Sequence, residues 1–359
     1  MSHDECLTFA ITIMSLDISD VKRRLRDHLQ EGLLLVAGTG LSIAEGIPGM
    51  SHLAAHLKSE VPAKLAATPD PGWDQVVAAL DAGDHLEAAM EKTNLRASTV
   101  NAIVSVTASF VASFERTVFS QVMSGKVVLP FTTFAKHLFK AGKLFHLITP
   151  NYDRLVELAT EAAGIGVDCR FFGYLHGRND PKRSADSHRE SYQEGKSSGF
   201  RPRPCLCVHK PHGSLDWYEV DGAVVRCPIN DGGTPIIITP GASKYRESFR
   251  WAFDDQRTAG NYAASKATRL MFLGYGFNDD HLEQYLCSGF RLTKPSVILA
   301  KHLSANAQKV IANSRGTDVI ALSAVSEVDS NTRVITSAGE SLVVHEELWN
   351  LGGFNKGVI

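Results

Sequence analysis

Four short stretches of this chain combine backbone freedom with side chains that can hold charge or move a proton. They are Gly38-Thr39-Gly40-Leu41-Ser42 running on to Gly46-Ile47-Pro48, Thr149-x-Asn151-x-Asp153, Lys210-x-His212-Gly213-Ser214, and Gly274-Tyr275-Gly276-Phe277-Asn278-Asp279-Asp280. Each follows an apolar run. A strand that enters glycines and then a helix presents bare backbone N–H groups, the chemistry that suits a pyrophosphate. An imidazole that titrates near neutrality suits proton acceptance. Taken singly these signals are cheap. An Asn at a strand end is commonly a turn or helix cap, a histidine is commonly a satisfied structural residue, and His176-Gly177 repeats the His-Gly pair. Asp280 and His281 read as the cap and first turn of the next helix.

The elements that must position these residues alternate. Asp17–Gln30 has the apolar spacing of an amphipathic helix capped by Asp17 or Ser19 and ended by Gly32. Leu33–Val36, Leu144–Thr149, Leu206–Lys210, Ile236–Thr239, Leu270–Leu273, Ser296–Ala300 and Val319–Leu322 read as buried strands, since parallel strands covered on both faces appear as unbroken apolar runs. Helices are expected at Arg154–Ala163, across roughly Ser248–Thr268, after Asp279 and at Ala305–Asn313. Tyr218–Val220 and Ala223–Arg226, joined by Asp221-Gly222, read as a hairpin. The pattern predicts an α/β protein with a doubly wound, mainly parallel Rossmann-like sheet. A helical insertion occupies about 51–140, with its pattern starting soon after Ser51. A charged, solvated loop fills about 178–203, and a hairpin around Ala338-Gly339 with a final helical turn makes a tail over 323–359, packed on the domain formed by 1–322. Ligands of such sheets bind outside the carboxyl ends of the strands, where all four motifs fall.

Composition sets bounds on the rest. The 359 residues are 44% hydrophobic and 21% charged, ordinary for a globular chain, and the formal net charge of −2 gives no electrostatic case for nucleic-acid binding. Asp4 and Glu5 precede the apolar Leu7–Met14, unlike a secretory leader. Val100–Phe119 is interrupted by too many polar residues for a membrane span. A cytoplasmic protein with reduced thiols at its six cysteines is expected.

The four motifs together resemble the sirtuin family. GTGLSIAEGIP resembles the family's nucleotide loop, G-A-G-x-S followed by G-I-P, and Thr149-x-Asn151-x-Asp153 resembles its T-Q-N-I-D. Lys210-x-His212-Gly213-Ser214 resembles the segment carrying its catalytic histidine, and Gly274-Tyr275-Gly276-Phe277-Asn278 resembles the G-Y-S-F-x-D segment of bacterial sirtuin-like proteins. The resemblance implies NAD as substrate, with Asn151 and His212 as catalytic residues. Asn151 would orient the water and ribose, and His212 would act as base on a ribose hydroxyl. Gly38, Thr39, Gly40 and Ser42 would hold the pyrophosphate and neighbouring ribose, Gly46, Ile47 and Pro48 would line the nicotinamide pocket, and Asp153 would contact the nicotinamide amide. Gly274, Tyr275, Gly276, Phe277 and Asn278 would face the adenosine.

The departures are as informative. Deacylating sirtuins follow G-I-P with an acidic residue, Phe and Arg, where this chain has Gly49, Met50 and Ser51, and the Gln of T-Q-N is Pro150. Many also hold a structural zinc with two C-x-x-C pairs. Here Cys205 and Cys207 have one residue between them and Cys227 stands alone, so no zinc is expected, and a cluster with His209 and His212 ranks low. These features resemble the bacterial sirtuin-like effectors of antiphage defence, most closely the subunit that pairs with a HerA-type ATPase. The resemblance implies an NAD glycohydrolase, active in abortive infection and held as a homo-oligomer. A protein deacylase, an ADP-ribosyltransferase and a non-catalytic NAD-binding assembly module are the rival readings.

Overall fold

The computed structural model describes residues 16–65, 69–195, 197–229, 233–239, 250–328 and 330–359. Leu7–Met14 and the start of the helix expected from Ser248 lie outside them. In chain order come α1 (Ile18–His28), β1 (Leu33–Ala37), α2 (Thr39–Ala44), then α3 (Met50–Lys64), α4 (Pro71–Asp81), α5 (Leu86–Glu91), α6 (Ala97–Met123) and α7 (Pro130–Leu138). β2 (Leu144–Ile148), α8 (Leu155–Ala162), β3 (Gly166–Asp168), β4 (Phe171–Phe172), β5 (Gly177–Asn179), α9 (Pro181–Ser187), β6 (Arg189–Glu194), β7 (Ser197–Pro202) and β8 (Cys205–His209) follow. β9 (Trp217–Val220), β10 (Ala223–Arg226), α10 (Arg250–Lys266), β11 (Arg269–Leu273), α11 (Asp280–Leu286) and β12 (Ser296–Ala300) come next. The chain closes with α12 (Ala305–Asn313), β13 (Val319–Ala324), β14 (Thr332–Thr336), β15 (Ser341–Val344) and α13 (Leu351–Gly357).

Nine strands form the central sheet in the order β15-β14-β13-β12-β11-β1-β2-β8-β3. Neighbours from β3 to β13 run parallel, and the β14–β15 hairpin adds antiparallel at one edge. The chain departs from β1 toward β2 on one side and returns on the other through β11. The order therefore reverses at β1, which places a crevice at its carboxyl end. All five residues of β1 are buried. Leu33, Leu35 and Ala37 pack into the core shared with the helices before β2, while Leu34 and Val36 pack with residues of α10, α11 and α12. Each such aliphatic side chain contributes about 1.5–3 kcal/mol on burial.

The helical insertion is docked on the sheet, and one buried ion pair fixes it to the site. Glu115 of α6, 1% exposed, accepts from the Arg154 backbone N–H at 2.6 Å, and its other oxygen pairs with the Arg154 guanidinium at 2.6 Å. α6 is long and apolar enough to cross a membrane by composition, but half of its most apolar window is buried in the protein. Val104, Ala108 and Val111 belong to the core.

Three local readings differ from the sequence. The helical pattern expected soon after Ser51 is α3, which begins at Met50, and a further short helix, α2, precedes it directly after Gly38. The charged stretch 178–203 is ordered as α9 and the β6–β7 ribbon. Asp180 caps that helix on Arg183 N, and Glu190 pairs with Arg201 at 2.7 Å, so polar contacts order a segment without a core. Ile236–Thr239 forms no strand of the sheet. It makes a single antiparallel bridge from Ile237 to Gly213. The β9–β10 hairpin turns on Asp221 and Gly222, both at positive φ, as its sequence requires.

At the ends of β1 and β11 main chain packs directly on main chain. Gly38 N–H donates to Leu273 O at 2.9 Å and Gly40 N–H to Gly274 O at 3.0 Å. A Cβ on Gly38 would lie 2.6 Å from Tyr275 Cα, and one on Gly274, whose φ is +59°, would lie 2.6 Å from Gly40 Cα. Neither backbone can yield. Gly274→Ala is expected to cost about 3 kcal/mol or more in urea denaturation, against about 1 kcal/mol for Gly339→Ala, a positive-φ glycine with open space around it.

The described core also carries a pH dependence. His28 Nε2–H donates to Leu270 O at 2.8 Å, and burial pushes its pKa from 6.5 down to about 4. The fold favours neutral His28, so below about pH 6.5 protons bind mainly to the unfolded chain. Stability from this residue is lost as the pH falls from there toward 4. His28→Gln, which keeps an amide for the carbonyl, should flatten stability against pH in that window by up to about 1.4 kcal/mol per pH unit.

Candidate active site

A cleft of about 240 Å³ opens at the carboxyl ends of β1, β2, β8 and β11. The glycine turn lends it Gly38, Thr39 and Ser42, and the following loop Ile47 and Pro48. The loop after β2 lends Asn151 and Asp153, the loop after β8 lends His212, and the loop after β11 lends Tyr275, Gly276 and Asn278. Residues from four separate parts of the sequence thus share one wall. A larger cavity of about 480 Å³ lies between α12 and the β13–β14 pair and holds none of the four motifs.

The other expected residues sit elsewhere. Gly40 and Gly274 face each other across the backbone contact and leave no room for a ligand between them. The Gly38 and Gly40 N–H groups, expected to meet a pyrophosphate, are both spent on β11 and its loop. Phe277 is fully buried among Phe272 and Tyr275, at φ +54°. Gly46 makes its turn at φ +97° and does not line the cleft.

Asn151 is 7% exposed and held from three directions. Its backbone N–H donates to Thr149 Oγ1 at 3.1 Å, and its amide Nδ2 donates to Gly38 O and Ser42 Oγ, both at 2.9 Å. Its Oδ1 is buried without a hydrogen-bond partner. That oxygen is an acceptor in need of a donor, such as a hydroxyl or a water. Ser42 Oγ–H donates to Asp153 Oδ2 at 2.7 Å, while Asp153 Oδ1 caps α8 by accepting from Leu155 N–H. Burial pushes the Asp153 carboxyl above its usual range, against the opposing influence of Lys210 and Ser42.

Lys210 is the anchor beneath this arrangement. It is 2% exposed, and its ammonium donates to the Asp153 carbonyl, pairs with Glu157 at 2.8 Å and reaches Ser214 Oγ at 3.4 Å. Burial alone would lower its pKa, but the carboxylates of Glu157, Asp153 and Asp216 outweigh that and hold it above the ordinary value. The Asn151 loop and the His212 loop are thereby tied to one cation. The His212 turn is propped from the other side as well. Ile238 N–H donates to His212 O at 2.9 Å, and a Cβ on Gly213, at φ +82°, would lie 3.0 Å from Ile237 Cα. This is the work of the apolar Ile236–Thr239 segment.

Several lining residues carried no motif. Met50 and Leu53 of α3, Glu87 of α5 and Val111 of α6 cover the cleft from the insertion. Burial, and then the charge of Asp279, push the Glu87 carboxyl up. Asp279 lies 3.2 Å from His212 Nε2. The Asp within GYGFNDD was the available signal, but its capping role on α11 absorbed it. Among the described residues no group of three His, Cys, Asp or Glu side chains is placed to hold a metal ion. His209 turns inward to His146, 3.0 Å away, and burial drops its pKa to about 3.

Residues 146–320, the span from β2 into β13, match the family model described as SIR2-like domain; the glycine turn and helical insertion precede the matched span. No curated protein sequence matches the chain. Among solved structures, a Sir2Tm complex with a propionylated peptide aligns over 80% of this chain and 90% of its own, at 13% identity and TM-score 0.36. A structure titled for the mechanism and regulation of Sir2 enzymes aligns over 81% and 89%, at 12% identity and TM-score 0.37. One titled for sirtuin substrate affinity aligns over 87% and 95%, at 12% identity and TM-score 0.37.

Lys210→Met leaves Glu157 as a buried charge without its cation, and should cost about 3–5 kcal/mol. Adding Glu157→Gln should recover most of that, as read by thermal unfolding of the single and double variants.

Proposed function

We propose that this chain is an NAD glycohydrolase that cleaves the nicotinamide–ribose bond. The observation that carries the reading is Asn151: it lines the same cleft as His212, and its buried Oδ1 has no hydrogen-bond partner. Cleavage of an N-glycosidic bond passes through an oxocarbenium-like state. It needs a hydroxyl or water held opposite the leaving group and a base to take its proton. Asn151 orients that hydroxyl or water through Oδ1, since its Nδ2 is already committed to Gly38 O and Ser42 Oγ. His212 accepts the proton. Asp153 acts on the leaving nicotinamide through the shape it gives Ser42, or directly at the cleft wall. Small-molecule pockets usually span roughly 300–1,000 Å³. A cleft of about 240 Å³ therefore encloses the reactive half of a dinucleotide and leaves the adenosine along the side of Tyr275, Gly276 and Asn278.

The departures from the deacylating pattern, Gly49-Met50-Ser51 after Gly46-Ile47-Pro48 and the missing C-x-x-C pairs, favour hydrolysis over deacylation. The proposed setting is NAD depletion in the cytoplasm of phage-infected bacteria, by a homo-oligomer partnered with a HerA-type ATPase. The insertion that contributes Met50, Leu53, Glu87 and Val111 is the proposed gate.

Purified protein incubated with NAD, alone and with the ATPase partner, should release nicotinamide without any acyl-lysine peptide. Asn151→Ala and His212→Ala should each lower turnover by about 100-fold or more; His212→Ala should keep an unfolding midpoint close to wild type, whereas Asn151→Ala, which strips Gly38 O and Ser42 Oγ of a buried donor, should also lose about 1–3 kcal/mol of stability. Release that requires an acyl peptide would favour a deacylase, and full activity in both variants would remove these residues from the mechanism.

A further inference from the structure

We infer that Asp279 is a positioning residue for His212, holding the imidazole by a charge contact that crosses the cleft. The inference rests on the hydrolase reading above for its catalytic consequence, though the contact itself does not. His212 Nε2 and Asp279 Oδ2 are 3.2 Å apart, and their side chains are only 20% and 16% exposed. The two residues follow β8 and β11, and β1 and β2 lie between those strands in the sheet. The contact therefore bridges the mouth over the glycine turn and the Asn151 loop.

Asp279 is built to stay where it is. Its Oδ1 accepts from His281 N–H at 3.1 Å and Leu282 N–H at 3.2 Å, capping α11, and its own N–H donates to Glu283 Oε1 at 2.9 Å. One oxygen is thus fixed by the helix, which aims the other at the imidazole. That second oxygen is buried and makes no aligned hydrogen bond. An anion so placed gains most when the ring facing it becomes cationic. When His212 takes the ribose or water proton, the imidazolium forms 3.2 Å from a carboxylate, and no proton need move on to Asp279. Glu87 of α5, Tyr152, Asp153 and Tyr275 are the other titratable groups on the cleft wall, Glu283 touches Asp279 from α11, and Lys210 lies beneath. None of them is joined to a helix cap in a way that would direct a carboxylate at His212.

The cap allows a clean test, because Asn caps a helix as well as Asp does. Asp279→Asn should fold with an unchanged unfolding midpoint and lower kcat on NAD by about 10- to 100-fold, with KM within about threefold. Asp279→Glu should recover part of kcat. Independently of turnover, the His212 ring resonances followed by NMR should titrate at lower pH in Asp279→Asn than in the wild type. An identical titration in the two proteins would overturn the contact. A raised kcat/KM in Asp279→Asn would overturn the positioning role, since the carboxylate would then be holding the base away from its work. If the wild type releases no nicotinamide, the hydrolase reading fails, and the titration arm still decides the contact.

Discussion

The site depends on two glycine turns that touch through their backbones. Gly38 and Gly40 sit against Gly274 with no side chain between them, and two hydrogen bonds, Gly38 N to Leu273 O and Gly40 N to Gly274 O, lock the pair. Parallel strands β1 and β11 end here, and the topology reverses here. The contact sets how far apart the β1 and β11 loops can be, and so the width of the cleft. The glycines, which in sequence look like a phosphate cradle, serve first as a hinge-free joint. Their neighbours Thr39, Ser42, Tyr275, Gly276 and Asn278 line the cleft.

Around that joint the protein uses buried charge to set loops in place. Ion pairs taken out of water seldom add net stability, because desolvation consumes most of the attraction. Removing one partner is costly all the same, so such pairs specify geometry sharply. Glu115 fixes the Arg154 main chain, Lys210 fixes the Asp153 carbonyl, and Arg226 pairs with buried Asp216 at 2.7 Å. All three lie behind Asn151 and His212 rather than on the cleft wall. The helical insertion is joined to the site through the first of them, so a shift of α6 would be felt at the residue following Asp153.

Much of the scaffold was legible. β1, β2, β8, β11, β12 and β13 are read correctly because strands covered on both faces need unbroken apolar runs, and Asp221-Gly222 is read because only such residues take two successive positive φ values cheaply. What escaped the sequence has a common physical cause: it depends on partners distant in the chain. The β6–β7 ribbon is polar and gains its order from cross-strand pairs. Ile236–Thr239 has a strand's composition, yet its single bridge serves to brace the His212 turn. Asp279, and not Asp280 as the sequence suggests, caps α11, and it meets Glu87 only because the insertion and the β11 loop are brought over the same opening. Phe277 shows the converse error, a residue inside a motif whose ring belongs to the core.

Among the described residues lining the cleft there is no lysine or arginine, while Glu87, Asp153 and Asp279 all reach its wall. An acidic, half-closed cleft suits a ligand whose reacting end is cationic better than one presenting a phosphate there. In the hydrolase reading, the nicotinamide riboside enters with a positive ring, and positive charge moves onto the ribose as the bond stretches. Fixed carboxylates nearby stabilise that charge without reorganising, which is where a preorganised site gains most. The same carboxylates would repel the pyrophosphate, so the diphosphate has to lie toward the Thr39 end and not the His212 end. In that reading the acidity of the wall would give the substrate its direction in the cleft, with the glycosidic bond brought between Asn151 and His212.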